Sequence, residues 1–373
     1  MDFSNLRILL QAFNALAWQN VAMLAVGGFL IFLAVKYEFE PTLLLPIGFG
    51  AILANLPLTG VIQEGGFLKV MYNFGIATEL FPLFIFIGIG AMTDFGPLLE
   101  NPRMALLGAA GQFGIFSTMM LALIWFPLKE AASIGIIGAI DGPTAIYVSS
   151  KLAPQLLPAI TVTAYSYMSL VPIIQPPVMR LLTTHEERRV RMPYTMKPVS
   201  RAVRVLFPII ITILVSLIAP KASPLIAALM FGNLIREATV VERLSKGAQN
   251  ELANLVSLFL GLVIGGTMEG VAFFNLQTLA ILGLGLLAFV LDTVGGVLFG
   301  KLMYVLSGKK FNPCIGAAGI SAFPMSARIV QKFVAEEDFE NFLLMHAMGA
   351  NAAGQLGSVI AGGVVLAVLA GVL

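Results

Sequence analysis

Charge is what this sequence has least of. Only 11% of its 373 residues are Asp, Glu, Lys or Arg, against about a quarter in soluble domains, which excludes a fold whose whole surface faces water. The 22 Lys and Arg nearly balance the 20 Asp and Glu, so there is no basic footprint for nucleic acid. A single cysteine, Cys314, excludes an internal disulfide framework and a cysteine-rich metal centre. The two histidines, His185 and His346, lack metal-ligand spacing, and there is no His-Glu-x-x-His. No Gly-x4-Gly-Lys-Ser/Thr loop occurs, so the chain is not itself an ATP-driven motor. Lys197, in Thr195-Met196-Lys197-Pro198, lacks the setting of a biotin-attachment turn. No cleavable leader is expected: residues 1–15 are amphipathic, and no small-residue cleavage site follows the first apolar run at 20–35.

What is abundant is apolar. The chain is 58% hydrophobic, its mean hydropathy is +0.93, and a membrane span needs about 20 apolar residues. Runs near 20–35, 42–57, 80–95, 104–126, 155–180, 204–219, 223–235, 253–270, 277–300 and 341–371 predict an all-α polytopic membrane protein with about ten transmembrane helices. The 37 glycines and 20 prolines point to close packing and broken helices rather than disorder. Two segments are not simple spans: 131–150 is interrupted by Asp141-Gly142-Pro143, and 312–334 by Ser321-Ala322-Phe323-Pro324. A proline break facing lipid leaves backbone groups unpaired. Both segments are therefore expected inside protein, as broken crossings or as re-entrant hairpins.

The basic stretch 180–204 carries Arg180, Arg188, Arg189, Arg191, Lys197, Arg201 and Arg204, which the positive-inside rule places in the cytoplasm. Hairpins put more of the Lys and Arg on that side than crossings do, and are preferred. Phe49-Gly50 and Phe231-Gly232 lie 182 residues apart, and Pro143 and Pro324 lie 181 apart. The expected organisation is a first repeat over 1–182, a basic loop over 183–203 and a second repeat over 204–373. With hairpins each repeat has an odd number of spans, so the second is inverted, a transporter architecture.

Within the membrane, Asp141 stands out, because a carboxylate at that depth is expensive and marks function. With carbonyls, hydroxyls and amides it makes an oxygen shell suited to Na⁺, although capping the following helix is the plain alternative. The second break offers Asn312, Ser321, Ser326 and Arg328. Arg328 has the fork to hold a carboxylate, or it snorkels. Asn351, Tyr165 and Tyr167 lie on the helices after the two hairpins, as ligands or as packing groups. Asp292 and Lys301 are expected to pair, while Asp94 and Glu269 sit at span ends. The loop 180–204 and the charged stretch 236–251 are surfaces on which a partner could dock.

The motif Asp141-Gly142-Pro143-Thr144-Ala145, with Asn312-Pro313-Cys314-Ile315-Gly316 through Ser321 to Arg328, resembles the β subunits of the sodium-pumping, biotin-dependent decarboxylases over nearly the whole chain. Cys314 stands where an aliphatic residue is expected. The resemblance implies a carboxybiotin decarboxylase that exports Na⁺ and consumes a proton. It implies catalytic roles for Asp141, Tyr167 and Arg328, with Gly316 and Arg328 beside carboxybiotin, and Na⁺ at Asp141, Asn312, Ser321 and Asn351. Biotin is carried by a partner subunit rather than this chain. The implied partners are a carboxyltransferase α subunit, a biotin carrier subunit, a small membrane γ subunit and further copies of the chain. The implied place is the bacterial cytoplasmic membrane, multi-pass. A compact N-terminus favours the methylmalonyl-CoA or glutaconyl-CoA form over the oxaloacetate form. Composition, charge bias and repeats alone fit a Na⁺-coupled carboxylate carrier without chemistry equally well. A passive anchor, needing no polar cluster at membrane depth, fits poorly.

Overall fold

The computed structural model describes residues 11–38, 41–194, 199–273 and 275–370; the first ten residues and 195–198, with Lys197, lie outside the described residues. It is all-helical among them. The first half contains α1 (Trp18–Tyr37), α2 (Pro41–Ala54), α3 (Phe67–Gly75), α4 (Leu80–Met92), α5 (Met104–Ala110), α6 (Phe113–Ala122), α7 (Leu128–Gly135), α8 (Gly142–Leu152) and α9 (Leu157–Leu182). The second contains α10 (Arg201–Ile218), α11 (Ser223–Ala238), α12 (Glu242–Gly247), α13 (Ala253–Gly266), α14 (Leu276–Leu306), α15 (Met325–Ala335) and α16 (Leu344–Ala370).

Each of the ten apolar runs is helical. Among the described residues, however, only six helices are long and apolar enough to cross a membrane, or eight if two bent pairs each count as one span. The bends are 63° between α3 and α4 and 65° within the helical stretch 154–182, the second containing Pro172, Pro176 and Pro177. Helices α2 and α11 have 14 and 16 residues, about 21–24 Å at 1.5 Å per residue, short of a hydrocarbon core of about 30 Å. That shortness separates the observed six to eight from the expected ten.

The two halves pack reciprocally. Helix α2 lies on α13 and α11 lies on α4; α9 lies on α14 and α16 on α5; α9 touches α15 and α16 touches α8. Small residues permit the two central crossings. A Cβ on Gly50 or Gly265 would overlap the carbonyl of Leu262 or Ile47 on the facing helix, and one on Gly90 or Gly232 that of Leu229 or Ile87.

Both broken segments turn back. In the first, α7 runs through a tight turn at Ile136–Ala139 into α8, whose 11 residues reach only about 16 Å. Glu130, where α7 begins, accepts from Gln155, just past α8, at 3.0 Å. In the second, the turns of Pro313–Gly319 lead into α15. Asn312 before it donates to the carbonyls of Arg188 and Val190, both at 2.9 Å, and Asn341 after it donates to the same two at 3.2 and 3.1 Å. Entry and exit thus share one anchorage, the geometry of a hairpin.

Several charge assignments differ from expectation. Asp292 does not pair with Lys301. It accepts the Gly114 N–H at 2.5 Å, at the α5–α6 break, whereas Lys301, over two turns away, binds Glu187 at 3.3 Å and the Leu182 carbonyl at 2.9 Å. The basic stretch is largely engaged by the chain itself. Arg180 pairs with Glu336, Arg188 with Glu337, and Arg191 with Asp338 and Glu340, at 2.6–3.1 Å. Arg204 and Arg236 bridge Asp94 and Glu237. Hydrogen bonds from His185 and then Arg188 hold Glu337 below the usual carboxylate range, and Arg191 does the same for Asp338.

Candidate functional site where the two hairpins meet

The hairpin breaks meet at a cavity of about 190 Å³. One wall comes from the breaks and their supports: Ile140, Asp141 and Pro143, then Ser321 to Met325, with Tyr165 of α9 and Gln355 of α16. The other comes from α2, α4 and α13 through Leu43, Ile89 and Ser257. The first break forms because Ile140 adopts a left-handed conformation (φ +53°) ahead of Gly142-Pro143. Proline suits the first turn of α8, where its missing N–H costs nothing. Tyr165 presses on the turn so closely that a Cβ on Gly142 would strike its ring.

Asp141 is 4% exposed. It is the residue that precedes α8, at the N-cap position. Its Oδ2 accepts from Thr144 Oγ1 at 2.6 Å, Gln355 Nε2 at 3.2 Å and Ser358 Oγ at 3.3 Å. No hydrogen bond to Oδ1 is formed among these groups. Across the cavity Ser321 Oγ donates to the Gly354 carbonyl at 3.0 Å, and Asn351 Nδ2 donates to Ile320 O at 2.6 Å. One helix, α16, therefore grips both breaks through Asn351, Gly354, Gln355 and Ser358. Among the described residues Asn351 Oδ1 is buried with no hydrogen-bond partner, a situation costing about 1–3 kcal/mol. Among the described residues no three His, Cys, Asp or Glu cluster as a metal site. The oxygens of Asp141 and Ser321 line the cavity, and among its described lining residues there is no thiolate or imidazole to favour a transition metal.

The structure brings together some of the residues singled out in the sequence and separates others. Asp141 and Ser321 share the cavity, and Asn351 stands one turn from Gln355 on the same face of α16. Tyr167 points elsewhere, its ring edge-on to Phe289 at 5.9 Å; Tyr165 is the tyrosine lining the cavity. Asn312 anchors the hairpin base and caps its own turn, accepting Cys314 N–H at 3.0 Å. Gly316 is a packing contact, where a Cβ would overlap the Gly296 carbonyl of α14. Ser326 and Gln175 clamp the Ala317 carbonyl. Arg328 is exposed on α15, one turn beyond cavity-lining Met325, with no hydrogen bond or ion pair among the described residues. Sequence reasoning missed Thr144, Gln355 and Ser358. The signal was present: Asn351, Gln355 and Ser358 are spaced i, i+4, i+7, a polar stripe on one face of an otherwise apolar helix.

Residues 19–369 match the family model described as the Na⁺-transporting oxaloacetate decarboxylase beta subunit. Glutaconyl-CoA decarboxylase subunit beta of Acidaminococcus fermentans is 52% identical over 360 residues, covering 96% of both chains. Methylmalonyl-CoA decarboxylase subunit beta of Veillonella parvula is 51% identical over 358, covering 96% of this chain and 95% of that one. The oxaloacetate decarboxylase beta chain of Klebsiella pneumoniae is 47% identical over 406, covering 92% and 94%. With the match running through both hairpins and every helix between them, this chain belongs to the family of beta subunits of the sodium-pumping, biotin-dependent decarboxylases.

Proposed function

We propose that the cavity between the hairpins is where Na⁺ binds and where decarboxylation is coupled to its export. The observation that carries this reading is the meeting of Asp141 and Ser321, from two different hairpins, under the grip of α16. A membrane-buried carboxylate facing a small cavity, with Asn351 one turn along α16 from Gln355, is the arrangement expected of a cation site that fills and empties. Na⁺ arrives from the side of the basic loop, the cytoplasm by the positive-inside rule, and is held by Asp141, Ser321 and Asn351. The second substrate is carboxylated biotin on a partner subunit. Its N–carboxylate bond breaks, CO₂ leaves, and the electron pair left on nitrogen takes a proton. This chain contributes a water-poor pocket in which the anion is poorly solvated and Arg328, positioned to meet its charge. Reciprocal packing supports two inverted repeats whose hairpin-bearing unit moves against α2, α4, α11 and α13, delivering Na⁺ to the far side, where a proton replaces it at Asp141.

The complex is proposed to contain a carboxyltransferase α subunit, a biotin carrier, a small γ subunit and further copies of this chain, in the bacterial cytoplasmic membrane. A CoA ester, methylmalonyl-CoA before glutaconyl-CoA, is the proposed parent substrate over oxaloacetate. Supporting the class, the alignment with the glutaconyl-CoA relative needs no long insertions, whereas that with the Klebsiella chain does. The test is Asp141→Asn in the complex reconstituted into proteoliposomes and offered each acid in turn. Loss of Na⁺-stimulated CO₂ release by about a hundredfold or more is expected, as for removal of a group on which the step depends. Undiminished, Na⁺-dependent turnover in the variant refutes the role of Asp141. Na⁺ uptake driven only by an imposed gradient identifies a carrier without chemistry.

A further inference from the structure

The two hairpins are alike in build and unlike in charge. Pro143 and Pro324 open their second arms 181 residues apart, and at the same offset Lys151 of α8 corresponds to Lys332 of α15, while Tyr147 corresponds to Arg328. The first arm's cation is spoken for: Lys151 Nζ sits 2.7 Å from Glu79 Oε1 and 4.8 Å from the centre of the Tyr147 ring. The second arm's two cations are free. Arg328 and Lys332 are both exposed, and among the described residues neither has a hydrogen bond or ion pair.

Their placement gives this difference a direction. Met325, Arg328 and Lys332 are spaced i, i+3, i+7 and share one face of α15, rising about 10 Å at 1.5 Å per residue. Met325 lines the cavity. Beyond Lys332 on that face lies Glu336, which pairs with Arg180 of the basic stretch. Two uncompensated cations thus lead from the base of the second hairpin up to the cavity. The equivalent track on the first hairpin carries a neutral phenol and a cation already matched by a carboxylate. Unpaired positive charge beside a low-dielectric pocket concentrates anions and favours their approach.

We infer that Lys332, together with Arg328, forms the receiving track for the carboxylate of the incoming substrate, and that Glu79 cancels the corresponding charge on the first hairpin, so that the anion is taken up from one face only. The ligand class is a singly charged carboxylate on a neutral, largely apolar ring system. The inference rests on the decarboxylase reading and adds to it a positioning residue and a cause for its one-sidedness. Lys332 acts before the chemistry, so its loss affects capture rather than the bond-breaking step.

The test uses the full chain in proteoliposomes, titrated at saturating Na⁺ with the methyl ester of carboxybiotin, whose one charge is the carboxylate on nitrogen, with initial CO₂ release as the readout. Lys332→Gln is expected to raise KM about threefold to fivefold with kcat unchanged, the size expected of one exposed charge pair. Lys332→Arg should restore KM, and Lys309→Gln, removing an exposed cation outside the track, should leave it unaltered. Choline chloride should raise the wild-type KM more steeply than that of Lys332→Gln. A Lys332→Gln KM equal to wild type overturns the inference while leaving the decarboxylase reading intact. A fall in kcat that Lys332→Arg does not repair, at unchanged KM, also overturns it. Absence of CO₂ release from the wild-type chain overturns the underlying reading itself.

Discussion

Replacing Arg188 with Ala should loosen the second hairpin at its base. The Arg188 side chain is 5% exposed and pairs with Glu337 at 2.7 Å. It also donates to Thr183 Oγ1 at 2.9 Å, Thr183 O at 2.7 Å and Arg180 O at 2.6 Å, while its guanidinium lies 5.3 Å from the Phe333 ring centre. Truncation removes all of these together and leaves carbonyls unpaired. Breaking a buried pair by deleting one member costs about 3–5 kcal/mol. The Glu337 side chain is 17% exposed, so water takes over part of the lost interaction and the lower end, about 3 kcal/mol, is expected. Unfolding of such a protein in detergent is irreversible, so the measurement is the half-life of inactivation at fixed temperature. If most of the loss falls on the unfolding rate, the half-life should shorten between about tenfold and a hundredfold. Glu337→Gln in the Arg188→Ala background should cost less than it does alone, with a coupling of about 1–3 kcal/mol. A half-life within about twofold of wild type, or strict additivity of the two changes, refutes this account of the anchorage.

Two further expectations concern packing and acid stability. Gly265→Val places a side chain against the Ile47 carbonyl at the α2–α13 crossing and should abolish recovery of folded protein, whereas Gly28→Val, with nothing within 4 Å, should be recovered at the wild-type level; equal yields of the two, by detergent size-exclusion, contradict the close crossing. Glu337 and Asp338 are held below their ordinary range in the fold, so the unfolded chain takes up protons first as pH falls; their contribution is complete above about pH 5 and is lost as pH drops through the lower folded values. Inactivation half-lives should therefore shorten on the acid side in wild type and less so in Glu337→Gln/Asp338→Asn, and identical acid profiles count against that linkage.

Much of the architecture was legible because a bilayer punishes unpaired backbone. Proline breaks at Asp141-Gly142-Pro143 and Phe323-Pro324 had to be enclosed, and enclosing them near the same depth brings Asp141 and Ser321 together. The family motifs sit on those breaks. What local sequence did not disclose was rotation and choice of partner. Tyr165 and Tyr167 differ by about 200° around α9, so one faces the cavity and the other Phe289, and composition ranks them equally. Asp292 and Lys301 share a helix and were expected to pair, but the break at Gly111-Gln112 offers the Gly114 N–H to Asp292 across the interface. The acidic run Glu336 to Glu340 follows the second hairpin at a distance in sequence that hid its role as counter-charge to the basic stretch. Spans were overcounted because hydropathy measures apolar content, whereas α2 and α11 are short helices completed by neighbours at glycine crossings.

The shared anchorage of the second hairpin has a mechanical meaning. Asn312 and Asn341 hold the same pair of carbonyls, so both arms of the inserted loop share one tie at the base, while Gln175 and α16 hold its tip. Movement of the base is transmitted to residues 188–190, and through Arg188 to the C-terminal end of α9. That end is rigidly continuous with no other hairpin base, since the first hairpin is fixed at Glu130 and Gln155 on the far side of the bundle. The tips that meet at the cavity thus hang from separate bases. On the proposed reading, a change in the separation of those two bases alters the distance between Asp141 and Ser321 and with it the space offered to Na⁺.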